Sequence, residues 1–407
     1  MIDARKCPYT PVREMTDVDP YPLYREAISD GPAIAWDESI GGWAVFSYVE
    51  CDRILRDPDS FPMPWTRFDG GIAALGRYGL YNITGDEHKG MHRFLLEYFN
   101  PVRNTRLRAA AERTVADTFA RAADADGPVD FYSEMAERIS TTMAMEFLGL
   151  CPEDADLSTV KIGIARLQRY IDTMGDDQAA YADLMHIHNT LEEVWQPAIN
   201  ARREHPQDDL LSFLTELEKS KPDCSSHEVV AQALFFFTAS VSNTANALTN
   251  AVYQYLVHPE WQQALAADPS LMTRFVDETL RVWSAVQFRI RVSAEATTIA
   301  NQPIAKGDRV LTVLGQANRD EAKFPNPGEI LLDRRNASAH LTLGKGARYC
   351  AGAPTARVEI EEVIATLARG SYTMTSPSRG VAFQGLNYRH FGPFDVEVSR
   401  SESTMLI

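Results

Sequence analysis

The sequence has no run of about 18 apolar residues free of charge, so no segment reads as a membrane span. It has no Cys-x-x-Cys pair. Its five cysteines, Cys7, Cys51, Cys151, Cys224 and Cys350, are scattered and odd in number. That argues against a disulfide framework or a zinc site and fits a reducing, cytoplasmic location. Positive charge is short: the formal net charge is −16, so non-specific nucleic-acid binding is not expected. Residues 1–30 contain no apolar stretch of signal-peptide length. Internal repeats, low-complexity segments and long linkers are also missing.

What is present is an ordinary apolar content, 45% of 407 residues, enough to bury a large core. Apolar residues recur at helical spacing in "DFYSEMAERISTTMAMEFLGL", which should stop at Gly149, and in "LMHIHNTLEEVWQPAINARREHP", which should stop before Pro206. The segment "HEVVAQALFFFTASVSNTANALTNAVYQYLVHPE" is apolar nearly all round its middle and predicts a buried central helix. Strand signals are short: "GGWAVFSY", "RIRVSAEATTIANQPIAKGDRVLTVLGQAN" with turns at "NQP" and "KGD", and "VAFQGLNYRHFGPFDVEV". The Pro-rich "FPNPGE" at 324–329 reads as a surface loop. The expected architecture is a mainly α chain, one domain over residues 1–407, with small β-sheets in its N- and C-terminal regions.

The most informative stretch is "LTLGKGARYCAGAP", Leu341 to Pro354. Gly344 and Gly346 permit a tight turn with positive φ and a close backbone approach to a flat partner. Cys350 precedes the amphipathic "APTARVEIEEVIATLA". Free backbone N–H groups at a helix start favour an ionised sulfur, as a metal ligand requires. Arg348 is placed to meet an anion beside that metal. Taken alone, the same pattern also suits a structural glycine turn around a buried cysteine.

The stretch resembles the haem-binding loop of the cytochromes P450, whose pattern is Phe-Gly-x-Gly-x-(His/Arg)-x-Cys-x-Gly. Leu343 stands where the family usually has Phe, and the rest matches. Other motifs follow the family order. "ETLR" supplies Glu278 and Arg281, like the family's Glu-x-x-Arg, and "ANRDEAKFPNPGEILLDRR" resembles the meander before the loop. Within it Arg335 is expected to join Glu278 and Arg281 in a buried structural ion-pair network. The resemblance runs from about residue 20 to the C-terminus. It implies the cytochrome P450 fold of soluble bacterial members, haem b (iron protoporphyrin IX) as cofactor, and Cys350 as the iron's axial ligand.

It also implies donors for the two haem propionates. "DEHKGMHRFLLEYF" matches the family's His-x-x-x-Arg at His88, with His92 at the arginine position. Arg291 matches the propionate-binding arginine, and Arg348 is a further donor. Arg289 lies two residues earlier on the same strand face. Two roles are open to it: propionate pairing, or holding a substrate carboxylate or phenol in the pocket.

The central helix departs from the family. Where Ala-Gly-x-(Asp/Glu)-Thr-Thr delivers protons to bound oxygen, this chain has Ala239, Ser240, Val241, Ser242, Asn243 and Thr244. The acid is missing and the alcohol is displaced. Asn243 can orient a water, Ser242 can pass protons with help from a substrate hydroxyl, or the enzyme uses peroxide or performs an unusual reaction. Ser242, Asn243 and Thr244 are the catalytic candidates.

Aromatics in the loop 61–82, among them Trp65, Phe68, Tyr78 and Tyr81, are substrate-contact candidates. So are Phe237, Ala239, Ser240, Val286, Gln287 and Leu386. The implied activity is a haem-thiolate monooxygenase that inserts one oxygen atom from O2 into a C–H bond of a small hydrophobic substrate, aromatic or terpenoid, by hydroxylation or O-dealkylation. The alternatives are a peroxide-driven or oxidative-coupling member, or a haem-binding protein without turnover. No electron-carrier domain is recognisable, so a ferredoxin and its reductase are expected as separate chains. Lys89, Arg93, Arg103, Arg106, Arg108 and Lys345 are the expected docking cations.

Overall fold

The computed structural model describes residues 10–28, 33–64, 80, 83–99, 101–150, 157–172, 177–220, 226–375 and 380–401. The side chains of residues 94, 101–104, 171–172, 217, 220 and 226–227 lie outside this description. The chain divides into two compact units, one of Met1–Pro62, Ala111–Ile139 and Asn243–Ile407, the other of Met63–Ala110 and Ser140–Ser242.

The first unit carries the β-structure. Ile34–Asp37 and Gly42–Val45 form an antiparallel hairpin, Gly42–Val45 runs parallel to Arg309–Val313, and Phe288–Val292 closes the sheet antiparallel to it. Trp43, Val45, Val310 and Leu314 pack beneath it with Ile54, Phe61 and Leu341. That core therefore reaches the residue that opens the cysteine loop. The turn signals hold. Thr297–Ile299 pairs with Gln302–Ile304 through Ala300 and Asn301, both at positive φ, and Gly307 lies at φ +92°. The C-terminal strand pair is Phe383–Gln384 with His390–Phe391.

The second unit is helical. Leu157–Asp172, Gln178–Glu204 and Leu210–Ser220 lie within it. Met63, Leu167 and Leu184 form a small apolar core there. The helix Gln178–Glu204 passes through Pro197 and ends two residues before Pro206. The helix Glu137–Leu148 stops at Gly149, at φ +80°. A Cβ on Gly149 would meet Asp209 Oδ2 at 2.1 Å, so this helix end is closed to any larger residue.

The central helix Ser226–Val257 spans 32 residues. From Glu228 to Leu256 every side chain is buried except Phe235, Ala239, Ser240 and Asn243. At about 100° per residue these four fall on one stripe of the helix. Protein covers the rest of its surface.

Candidate haem-thiolate site

The cysteine loop is built from short-range hydrogen bonds. Gly344 N donates to Leu341 O at 2.8 Å, Tyr349 N to Gly346 O at 3.1 Å, and Cys350 N to Leu343 O at 2.9 Å. Gly344 and Gly346 adopt φ of +74° and +66°. The close approach expected at Gly346 is to protein: a Cβ there would sit 2.9 Å from Arg56 Cα. The helix Ala353–Ala368 starts just beyond Cys350.

The Cys350 side chain keeps an open surface, although protein atoms enclose it on every side. The sulfur therefore faces an enclosed space. Burial pushes its thiol pKa up, while backbone N–H groups of Gly352 and Ala353 and the charges of Arg289 and Arg357 pull the other way. Burial wins, so the helix start alone does not ionise the sulfur; a metal cation would.

A chain of bonds ties this loop to the helix Met272–Val282. Arg281 Nε donates to Glu278 Oε1 at 2.6 Å and Nη2 to Oε2 at 2.9 Å. Arg281 also donates to the carbonyls of Asn318, Pro327 and Glu329. The "FPNPGE" segment is thus clamped to a buried arginine rather than being a plain surface loop. Asn318 relays the constraint: its Oδ1 accepts from Leu341 N at 2.6 Å and its Nδ2 donates to Thr342 Oγ1 at 2.9 Å. Thr342 Oγ1 donates to Leu280 O at 2.7 Å.

The third member of the ion-pair network is Arg334, which corrects the expectation of Arg335. Arg334 Nε donates to Glu278 Oε2 at 2.9 Å, whereas Arg335 is exposed. The cause is a turn in which Arg334 N bonds Leu331 O, which directs residue 334 inward and its neighbour out. Asn318 and Thr342 were also missed, because their signal is a pairing of distant segments rather than a motif.

On the strand Phe288–Val292, Arg291 is buried with Nη1 donating to Ile290 O at 2.8 Å. Arg289 is half-buried, with Nη1 at 3.2 Å from Phe288 O. Arg348 is also half-buried. In the second unit, His88 and His92 stack one helical turn apart, ring centroids 5.6 Å and planes 21° apart, with His88 buried. Among the described residues no group of three His, Cys, Asp or Glu could hold a metal ion, so this pair has no partners for a metal site of its own.

On the central helix, Asn243, Ala239 and Ser240 lie on the open stripe, while Ser242 and Thr244 are buried at its edges. Ser242 Oγ accepts a hydrogen bond from Gln168 Nε2. Gln168 carried no motif in the sequence. Phe237 is a correction: it is 1% exposed and packs on Trp195, ring centroids 6.5 Å apart, so it does not line the stripe. Gln287 is a second correction. It is fully buried, its Nε2 donates to Ser284 O at 2.6 Å, and it belongs to the scaffold. Val286 is buried and bridges to Tyr388, and Leu386 is half-buried. Trp65, Phe68, Tyr78 and Tyr81 lie outside the described residues.

Cys51 is buried, its Sγ bonded to Val45 O, as a small core residue; Cys7, Cys151 and Cys224 lie outside the described residues. Of the expected docking cations, Lys89 pairs with Asp86 and Arg106 with Asp208. Arg93 and Arg108 are exposed, Lys345 is half-buried, and the Arg103 side chain lies outside the description.

These residues fit a haem. An enclosed sulfur with an open surface stands at a helix start, and three arginines lie in the same unit of the chain. A helix otherwise buried all round keeps one open stripe. Comparison with known proteins agrees. Residues 167–370 match the family model for cytochrome P450. Cytochrome P450 144 of Mycobacterium tuberculosis is 30% identical over 368 residues, covering 86% of this chain and 82% of that protein. Cytochrome P450 monooxygenase PikC of Streptomyces venezuelae is 28% identical over 358 residues, covering 86% and 83%. Among solved structures, the P450 enzyme CxnD, described as acting in C–S bond formation in chuangxinmycin biosynthesis, superposes with a TM-score of 0.83 at 22% identity, covering 97% of this chain and 98% of that one. The chain belongs to the cytochrome P450 family of haem-binding oxidoreductases and has the P450 fold. Among the described residues no helix is long and apolar enough to cross a membrane.

Proposed function

We propose that this chain is a monooxygenase that inserts one oxygen atom from O2 into a C–H bond of a small hydrophobic molecule, aromatic or terpenoid, by hydroxylation or O-dealkylation. Electrons would come from a separate ferredoxin and its reductase, in the cytoplasm. The observation that carries the reading is Cys350: a sulfur with an open surface, enclosed by protein and fixed by the Leu343–Cys350 bond at a helix start.

Bound haem would supply the reduction and cleavage of O2, with a thiolate ligand favouring O–O cleavage. The chain's own residues divide the remaining work. Cys350 Sγ would ligate the iron, and Arg291 and Arg348, with His88 and His92, would hold the propionates. Ala239 and Ser240 are small, so the stripe they share leaves room for substrate. Asn243 would orient a water through its amide, with Ser242 passing protons behind it. Exposed Arg93 and Arg108 would help to meet an acidic electron carrier.

A second reading is a peroxide-driven or oxidative-coupling reaction, favoured by Ser242 and Asn243 at positions where the family usually has an acid and a threonine. The deciding experiment is an absorption spectrum of the reduced protein under carbon monoxide, followed by turnover with O2 and electron carriers or with hydrogen peroxide. A red-shifted thiolate band and faster O2-dependent turnover are expected. A histidine-type band in folded protein would overturn the haem-thiolate assignment. Turnover with peroxide alone would replace the first reading by the second.

A further inference from the structure

Resting on that haem-thiolate reading, we propose that Arg289 binds a carboxylate of the substrate, so that the substrate is an organic acid with an apolar body. The strand Phe288–Val292 is pinned in register, with Arg289 opposite Thr312 and Arg291 opposite Val310. Thr312 Oγ1 donates to Arg289 O at 3.0 Å and fixes the backbone there. Two residues apart on a strand, Arg289 and Arg291 project from the same face.

The two arginines differ in surroundings. Arg291 is 3% exposed. Arg289 is only half-buried, and its hydrogen bond is one long contact to the carbonyl of the preceding residue. A guanidinium has five donors in a planar fork. Arg289 forms no ion pair with any described carboxylate, so its charge stands beside the site without an anion. Its field reaches Cys350, where it opposes the rise of the thiol pKa. It therefore lies near the sulfur rather than out in solvent.

Charge counting separates Arg289 from the cofactor. Haem b brings two propionates, and Arg291 and Arg348 of the same unit already offer one guanidinium to each. Arg289 is a third. Once haem and an apolar substrate displace water, an uncompensated guanidinium is costly. A carboxylate matches both its single charge and its fork, since two parallel N–H···O bonds form without rearrangement. A phosphate dianion would call for more than one cation, and a neutral hydrocarbon would leave Arg289 without a counter-charge.

The test is a spin-state titration of the haem-loaded protein with indole-3-propionic acid, perillic acid and naphthoic acid, each beside its primary amide. The acids should bind about tenfold or more tightly than the amides, the strength expected of a charge-assisted hydrogen-bond pair, and salt should reduce the preference. Arg289→Gln should erase the preference and Arg289→Lys should retain part of it, both with wild-type haem content and an unchanged carbon monoxide spectrum. The proposal is overturned if no acid outbinds its amide, or if Arg289→Gln keeps the preference. It is equally overturned if Arg289→Gln loses haem while Arg289→Lys keeps it and the acid-to-amide ratio stays constant, which would assign Arg289 to a propionate. Failure of the underlying reading looks different: the wild-type protein would then lack the thiolate band.

Discussion

Gln168 Nε2 donates a hydrogen bond to Ser242 Oγ, at the position where the family usually has an acid. A hydroxyl that accepts from an amide keeps its own proton for donation. One turn earlier on the same helix, Thr238 Oγ1 is buried with no protein partner among the described residues. Buried polar atoms of this kind are commonly satisfied by water. Gln168 is thus a positioning residue for Ser242 under the proposed function. Gln168→Leu and Ser242→Ala should each lower product per electron pair by up to about tenfold, less than the 10²–10⁴-fold typical of a general acid itself. The solvent isotope effect should change with them, and the carbon monoxide spectrum should not. Unchanged coupling in both variants would remove the pair from the proton path.

Asn243 lies on the open stripe of the same helix, where its amide can hold a water. Asn243→Ala should leave electron consumption in place but divert it from product. The double variant Ser242→Asp, Asn243→Thr restores the family's acid and alcohol and should raise coupling. Product and peroxide yields, measured together, check both expectations.

Glu278 meets two arginines with no exposure of the carboxylate. Removing one partner of a buried pair leaves a charge uncompensated, so Arg334→Met should cost about 3–5 kcal/mol. Arg335→Ala, at an exposed position, should stay within about 0.5 kcal/mol of the parent. Denaturant unfolding of the two variants side by side checks the assignment, and equal losses would contradict it.

Gly346→Ala should strain the cysteine loop twice, through its φ of +66° and through contact with Arg56 Cα. Gly41, at φ +57°, has nothing within 4 Å of the point a Cβ would occupy and serves as the control. Gly41→Ala should lose only the conformational part, about 1–2 kcal/mol. Gly346→Ala should lose more and bind haem less fully. Haem absorbance per protein and thermal midpoints distinguish the two.

Acid stability should report on Asp277. Burial alone would raise its pKa, but His340 and the Arg357 guanidinium, whose Nε is 2.9 Å from Oδ1, hold it below the usual carboxylate range. A lowered folded-state pKa contributes stability that is complete above the unfolded value, about 4, and fades as pH falls below it. Asp277→Asn should be less stable than the parent at pH 7 and show a shallower loss between about pH 5 and pH 3. Parallel stability curves would exclude Asp277 from the acid response.

The features legible in the sequence were those written in neighbouring residues. The glycines around Cys350, the stop at Gly149 and the apolar central helix all follow from local backbone freedom and periodicity. The family pattern around Cys350 was readable for the same reason. What pairs across distance was not legible. Gln168 and Ser242 are 74 positions apart, and Asn318 reaches Leu341 from another segment. Nothing in "DRR" says which arginine turns inward, because a single turn at Leu331 decides it. Nor does "FFF" say that Phe235 is open while Phe237 packs on Trp195, because that depends on how the helix is rotated against its neighbours. Sequence by itself determined the elements, the cysteine loop and the family. Tertiary structure alone decided which side chains meet, since a hydrogen bond or a packed ring depends on the rotation and register of elements that no local pattern encodes.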